Sequence, residues 1–375
     1  MRSRKTVLVL GKVKKLKVGI TARILDTKQV RGWSRYTMEL IRGLVQKDVQ
    51  VVLLSDKPIN DSLYDSAKVS LVCEAGRSYF DWEQRVLPKM AQQQQLDILH
   101  CPINYGLPVL GKIKKVLTIH DAISKSFHDT QKSFLGRWTL TDRKLRAFNW
   151  LSQKAADAVI TVSEHAKSDL MKHYGIAEEK IQVIYEGADQ LFSEKNVKSF
   201  AEIKNKYPAF VRDALFYVGG FEQRKNIDGL IAAYAQSTKA KPLLLAGQGS
   251  QNAKGDNIFG IGYVDDEDLP SLYYYCFAFI YPSFYEGFGL QAVEAMQMKK
   301  PVLVSANTSL KEVVAQDECT FDPYSRQSIV DKINWLFSDA DPTKLAEASF
   351  ERSKRFSWEQ CITETLTLYE KVLAR

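Results

Sequence analysis

Short apolar runs alternate with amphipathic stretches along almost the whole chain. Runs at 17–20, 51–54, 69–72, 98–100, 115–120, 158–162 and 181–184, and then at 214–218, 242–246, 258–261, 277–281 and 302–305, have the length of buried strands. Between them, apolar positions recur at helical spacing over 35–46, 145–156, 164–173, 227–235, 269–276 and 291–298. Regular alternation of strand and helix predicts an α/β protein with parallel, doubly wound sheets. Twelve such runs are too many for a single eight-stranded barrel. Two sets of five to seven suit two sheets better than one very wide one. The length of 375 residues agrees, since a single core stops growing below that size.

The division is expected near 187–199, where Tyr185-Glu186-Gly187-Ala188-Asp189 ends a strand and an aperiodic polar stretch follows. This gives a first domain over 1–190 and a second over 191–357. A last helix at 358–373 follows the completed second sheet and can cap it or cross back to the first.

Composition narrows the class. Apolar residues at 45% and charged residues at 26% are ordinary for a soluble enzyme. No apolar run approaches the length of a membrane span. The four apolar residues at 7–10 are too few for a signal-peptide core, so a cytoplasmic location is expected. Cys73, Cys101, Cys276, Cys319 and Cys361 are scattered, odd in number and without a CxxC pair. They are read as small buried hydrophobes rather than a disulfide framework or a zinc site.

Charge is uneven. Residues 1–195 hold 32 Lys+Arg against 21 Asp+Glu, and the remainder 20 against 23. A basic first half suits an anionic partner such as a membrane surface or a phosphate-bearing acceptor, with a solvated surface as the plain alternative. Nucleic acid is not expected, because no helix-turn-helix, finger or RNP-like pattern accompanies the charge.

Two segments carry chemistry. In Tyr217-Val-Gly219-Gly220-Phe-Glu-Gln-Arg224-Lys225-Asn226 a strand runs into two glycines and then a helix start. Glycine lets backbone approach a ligand, and a helix N-terminus flanked by Arg and Lys suits a diphosphate. In Pro282-Ser-Phe-Tyr-Glu286-Gly287-Phe288-Gly289-Leu290-Gln-Ala-Val-Glu294, a second strand leads into a loop at its carboxyl end, where open α/β sheets bind ligands. Glu294, on the helix that follows, can accept hydrogen bonds from a ribose diol as the acidic residue of dinucleotide folds does. Taken singly, each segment could be an ordinary turn or a solvated carboxylate.

Together they resemble glycosyltransferase family 4, whose signature places two glutamates with seven residues between them, the first opening a Glu-Gly-Phe-Gly-Leu frame, as Glu286 and Glu294 stand here. Further similarity lies in Arg224-Lys225-Asn226, the 243–249 strand and glycine turn, and Gly262-Tyr263-Val264-Asp265-Asp266-Glu267. In the first half it lies in Gly32-Trp-Ser-Arg35-Tyr36-Thr37, Thr118-Ile-His120-Asp121 and Ile160-Thr-Val-Ser163-Glu164, and at the end in Arg355-Phe-Ser-Trp358. Within the family the chain is most similar to bacterial mannosyltransferases of O-antigen and other surface polysaccharides.

The resemblance implies a GT-B fold: two Rossmann-like domains facing a cleft, the first binding acceptor, the second binding a nucleotide-sugar. It implies retention of configuration without a metal ion, with no cofactor beyond the co-substrate, GDP-mannose being the leading donor. Arg224 and Lys225 then bind the donor diphosphate, Glu294 the ribose, and Glu286 the hydroxyls of the transferred sugar. The backbone of Gly287, Phe288, Gly289 and Leu290, with that of Gly219 and Gly220, approaches phosphate and sugar. Gly262, Tyr263 and Val264 lie against the base, His120 lies near the sugar, and Gly32 meets the diphosphate from the first domain. The catalytic set is His120, Arg224, Lys225 and Glu286, and the helix beyond Trp358 crosses back. The acceptor is expected to be a glycan or a polyprenyl-linked saccharide, met at the inner face of the membrane. Two departures stand out: Gly220 replaces an Arg that some members carry, and Gly32 is followed by Trp33 and Ser34 rather than further glycines.

Other readings compete. Asp266-Glu267-Asp268 could be taken for a metal-binding DxD motif, but acidic residues there would cap and charge the helix that follows. Asp121 could orient His120 or begin a turn. The basic, aromatic stretch 134–150 can lie on a membrane or pack its aromatics inward. A UDP-sugar donor, a nucleotide-sugar epimerase and an inactive scaffold are the functional alternatives. An NAD enzyme would need a GxGxxG turn after the first strand, which the chain lacks.

Overall fold

A computed structural model describes residues 15–26, 32–59, 64–65, 67–123, 140–188 and 190–375, with side chains of 140–146 not included. The first sheet contains β1 (Lys17–Thr21), β2 (Gln50–Ser55), β3 (Val69–Cys73), β4 (Ile98–Cys101), β5 (Lys114–Ile119), β6 (Ala158–Thr161) and β7 (Ile181–Val183). Its order is β3-β2-β1-β4-β5-β6-β7, and every pair is parallel. The second contains β8 (Leu215–Val218), β9 (Leu243–Ala246), β10 (Ile258–Gly260), β11 (Ala278–Tyr281), β12 (Val302–Ser305) and β13 (Thr320–Phe321). Its order is β10-β9-β8-β11-β12-β13, again parallel throughout. Central strands such as β4, β9, β11 and β12 are buried along their whole length, which explains why they read as unbroken apolar runs. The strand order reverses between β1 and β4 in one sheet and between β8 and β11 in the other. Crevices at the carboxyl ends of such switch points are where open α/β sheets bind ligands.

The helices of the first sheet are α1 (Trp33–Gln46), α2 (residues 79–93, π-wound over Trp82–Val86), α3 (Leu140–Ala155) and α4 (Glu164–Asp169, continued by a π turn over Leu170–Tyr174). With the second sheet come α5 (Phe200–Lys206), α6 (Ile227–Tyr234), α7 (Leu269–Tyr275), α8 (Leu290–Gln297), α9 (Ser309–Val314), α10 (Arg326–Ser338) and α11 (Pro342–Ser353). The last helix, α12 (Trp358–Leu373), buries Cys361, Ile362, Leu368, Tyr369 and Val372 in the core of the first sheet. Gly43 of α1 permits that crossing: a Cβ there would stand 2.3 Å from Ile362 Cγ1. A polar link fixes it, since His100 of β4 bonds Tyr369 at 2.6 Å and Thr118 of β5 at 2.8 Å. Burial pushes the His100 imidazole down to about 3, so it is neutral at physiological pH.

Some expectations require correction. Cys73 is exposed, at the end of edge strand β3, whereas the other four cysteines are buried. Asp268 does not cap α7 with its side chain; its buried carboxylate takes Lys198 at 2.6 Å and accepts from Tyr207 at 2.8 Å, while Lys206 also pairs with it. Two cations draw it inward, because a buried charge needs partners. Residues 134–139 and Asp189 lie outside the described residues. Of the rest of the basic, aromatic stretch, Phe148 packs among Tyr79, Phe80 and Tyr105, and Trp150 is exposed. Among the described residues no helix is long and apolar enough to cross a membrane.

Candidate active site

The two sheets meet at a cavity of about 400 Å³, within the range of small-molecule sites. Its walls come from loops at the carboxyl ends of strands, as the switch-point rule requires. The turn after β8 brings Gly219, Gly220, Arg224 and Lys225; the loop after β11 and the start of α8 bring Glu286, Gly287, Phe288, Gly289, Leu290 and Glu294. Tyr263 and Val264 also line it, as do Gly32 and His120 of the first domain. Gly262 stands just outside as a support: its N–H donates to Ser250 Oγ at 2.8 Å and its carbonyl accepts from Gly247 at 2.7 Å.

Why the chain turns as it does after β8 is visible in Asn226. It adopts a left-handed conformation with φ 55°, and its side-chain amide donates to the carbonyls of Pro282 and Pro323. Phe284 N–H donates to the Arg224 carbonyl at 2.7 Å, so the two site loops are stitched together. Arg224 and Lys225 then converge on one carboxylate oxygen: Glu286 Oε1 accepts from Lys225 Nζ at 2.7 Å and Arg224 Nη1 at 3.0 Å. Lys225 also donates to Tyr281 OH at 2.5 Å. Burial pushes the Glu286 carboxyl up, but Lys225 and Arg224 together hold it below its ordinary value. Burial lowers the Lys225 ammonium and Glu286 offsets only part of that, while Glu286 and its neighbours leave Arg224 above its ordinary value. The cluster is thus an ionised carboxylate beneath two cations that face the cavity.

Glu294 is buried on α8, and Tyr273 OH of α7 donates to its Oε2 at 3.1 Å. Arg35 of α1 donates to its Oε1 at 3.3 Å from across the cleft.

His120 is buried at the end of β5, with Trp33 stacked on its ring at 5.8 Å and Tyr36 edge-on at 4.7 Å. Its Nε2 lies 2.9 Å from the Pro102 carbonyl and its Nδ1 3.0 Å from Glu186 Oε1. A carbonyl only accepts, so Nε2 is the donor in that bond. The orienting carboxylate is therefore Glu186, and Asp121 begins a turn by accepting from Ile123 N–H at 3.1 Å.

Sequence reasoning did not single out Glu186, Arg35, Trp33 or Tyr273 as site residues. For Glu186 a signal existed, a lone acid just after the final strand of the first sheet. Arg35 stands in a family-like segment, but nothing in the sequence pairs it with Glu294, and for Tyr273 there was no signal, because both contacts depend on how the domains and helices meet.

Residues 30–190 match the family described as Glycosyltransferase Family 4, and residues 199–355 match Glycosyl transferases group 1. The chain is 32% identical over 235 residues to the O-antigen chain mannosyltransferase B of Escherichia coli, covering 58% of this chain and 62% of that protein. It is 28% identical over 268 residues to the serotype-specific mannosyltransferase WbdA of Escherichia coli, covering 65% of this chain and 32% of that protein. The match thus spans less than two thirds of either curated relative. The structure of Anabaena Alr3699/HepE in complex with UDP-glucose superposes with a TM-score of 0.72 at 18% identity, over 94% of this chain and all of that one. That likeness carries the fold: GT-B.

Proposed function

We propose that this chain, which belongs to glycosyltransferase family 4, transfers a hexose from a nucleotide-sugar to a glycan or lipid-linked acceptor in surface-polysaccharide synthesis. Mannose from GDP-mannose is the leading donor, on the strength of the mannosyltransferases to which the chain is similar. One observation carries the reading: Arg224 and Lys225 converge on Glu286 in the same cavity as Glu294. Breaking a sugar–phosphate bond leaves negative charge on the departing diphosphate. Two cations in the cavity wall stabilise that charge, at about 3–4 kcal/mol for a well-placed group. Glu294 suits the ribose diol and Glu286 the transferred sugar. No metal is needed in this scheme.

Retention is assigned to a front-face route, in which the departing phosphate oxygen takes the proton of the acceptor hydroxyl. Glu286 is a poor nucleophile for the alternative, covalent route, because Lys225 and Arg224 already occupy Oε1. The first domain, with its basic surface, is proposed to take the acceptor and to meet an anionic membrane face in the cytoplasm.

The likeness to a structure holding UDP-glucose favours one second reading, a UDP-sugar donor for the same site. Both readings are tested by incubating the protein with GDP-mannose or UDP-glucose and a polyprenyl-diphosphate-linked saccharide in EDTA, following nucleotide release and the product's anomeric configuration by NMR. Retained configuration with GDP-mannose supports the account. Inverted product, a strict metal requirement or a covalent sugar on Glu286 contradicts it. Conversion of the donor sugar without acceptor points to an epimerase.

A further inference from the structure

Arg35 and Glu294 are 259 residues apart and belong to opposite domains, yet Arg35 Nη1 stands 3.3 Å from Glu294 Oε1. The side chains are only 15% and 6% exposed, so solvent screens the pair little. Glu294 is held from both sides: Tyr273 of its own domain donates to Oε2, and Arg35 of the facing domain to Oε1. Phe192, in the connection between the domains, lies 5.6 Å from the guanidinium and helps to fix it. Tyr273 keeps its contact however the domains are spaced, because α7 and α8 share one core. Arg35 keeps its contact only when the cleft is closed.

We infer that Arg35 is a positioning residue that ties ribose binding to domain closure. The inference rests on the proposed reading of Glu294 as the ribose carboxylate. With Arg35 in place, Glu294 is oriented and charge-compensated; with the cleft open, it loses that partner. If closure strengthens nucleotide binding in this way, nucleotide binding must favour closure by the same factor. The first domain thus senses the nucleotide through one guanidinium, before the acceptor makes any contact with it.

The test uses the full chain with GDP, UDP and ADP as probes, measuring affinity by calorimetry and compaction by small-angle scattering. Arg35→Ala is expected to weaken the nucleotide that the wild type binds by about tenfold, within the usual span of site-to-site coupling. It is also expected to abolish nucleotide-driven compaction, with Arg35→Lys restoring part of both. Tyr273→Phe is the companion variant: affinity falls, but saturating nucleotide still compacts the protein. A merely structural Arg35 would lower melting temperature without separating these readouts. If Arg35→Ala binds nucleotide as tightly as the wild type, or more tightly, or compacts as far, the inference is overturned and the donor reading stands. If the wild type binds none of the three, the donor reading falls and the inference with it.

Discussion

Gly287 of the second domain lies against the main-chain carbonyl of His120 in the first, so closely that a Cβ built on it would stand 2.3 Å from that oxygen. Ser163 Oγ donates to the Gly287 carbonyl at 2.7 Å beside it. Nearby, Glu312 of the second domain accepts the N–H groups of Glu164 and His165, at 2.9 and 3.1 Å, at the start of α4. Glycine at 287 is therefore required by domain contact, whatever its backbone does for a ligand. Gly287→Ala is expected to hold the cleft slightly open and lower kcat/KM by about 10²-fold, the usual consequence of a misplacement near 1 Å. Nucleotide affinity should fall by no more than about tenfold, the share that closure contributes through Arg35. Steady-state kinetics beside calorimetry checks the split.

Arg224→Ala and Lys225→Ala remove the cations from Glu286. Each is expected to lower kcat by about 10²–10³-fold, the range for loss of one stabilising group at developing charge. Lys225→Ala should cost more stability as well, because its ammonium is the more deeply buried partner of Glu286. Single-turnover rates and melting temperatures separate the two effects.

Glu186→Ala leaves Nδ1 of His120 buried without its partner, a loss of about 1–3 kcal/mol in stability. Glu186→Gln keeps a bonding partner and should be milder. In both variants kcat is expected to fall while nucleotide affinity holds. An unchanged kcat in Glu186→Ala would remove Glu186 and His120 from the active machinery.

Glu83, fully buried on α2, gives a prediction in pH. Burial pushes its carboxyl from the ordinary 4.5 up to about 7, with a bond from Gln84 opposing the rise. The folded state therefore binds this proton more strongly than the unfolded chain. Its contribution to stability is full below pH 4.5 and is lost as pH rises through about 7. Glu83→Gln mimics the protonated form. It should raise the melting temperature at pH 8 and leave it nearly unchanged at pH 4.5. Equal shifts at both pH values would contradict the assignment.

Much of this architecture was legible in the chain. Buried parallel strands such as β9 and β12 announce themselves as unbroken apolar runs, since both faces are covered. The paired glutamates and the Arg-Lys turn were legible because one loop and one helix start must hold them. What escaped is what only tertiary contact decides. Arg35 stands in a family-like segment, but its partner Glu294 is visible only when α8 arrives opposite it. Asp268 reads as a helix cap until Lys198 and Lys206 draw it inward. Glu312 of α9 binds the start of α4 in the other domain, a contact for which the sequence carries no sign. Cys73 was read as buried because edge-strand exposure leaves no mark on a lone residue.

The central claim is that the cleft holds a nucleotide-sugar through Arg224, Lys225 and Glu294. Thermal unfolding with GDP, GDP-mannose, UDP and UDP-glucose in EDTA tests it most directly. A ligand at a hundred times its dissociation constant adds about 2.7 kcal/mol, a readily visible rise in melting temperature. GDP and GDP-mannose are expected to raise it, and Glu294→Ala to suppress the rise. If no nucleotide raises the melting temperature of the wild type, the account is contradicted.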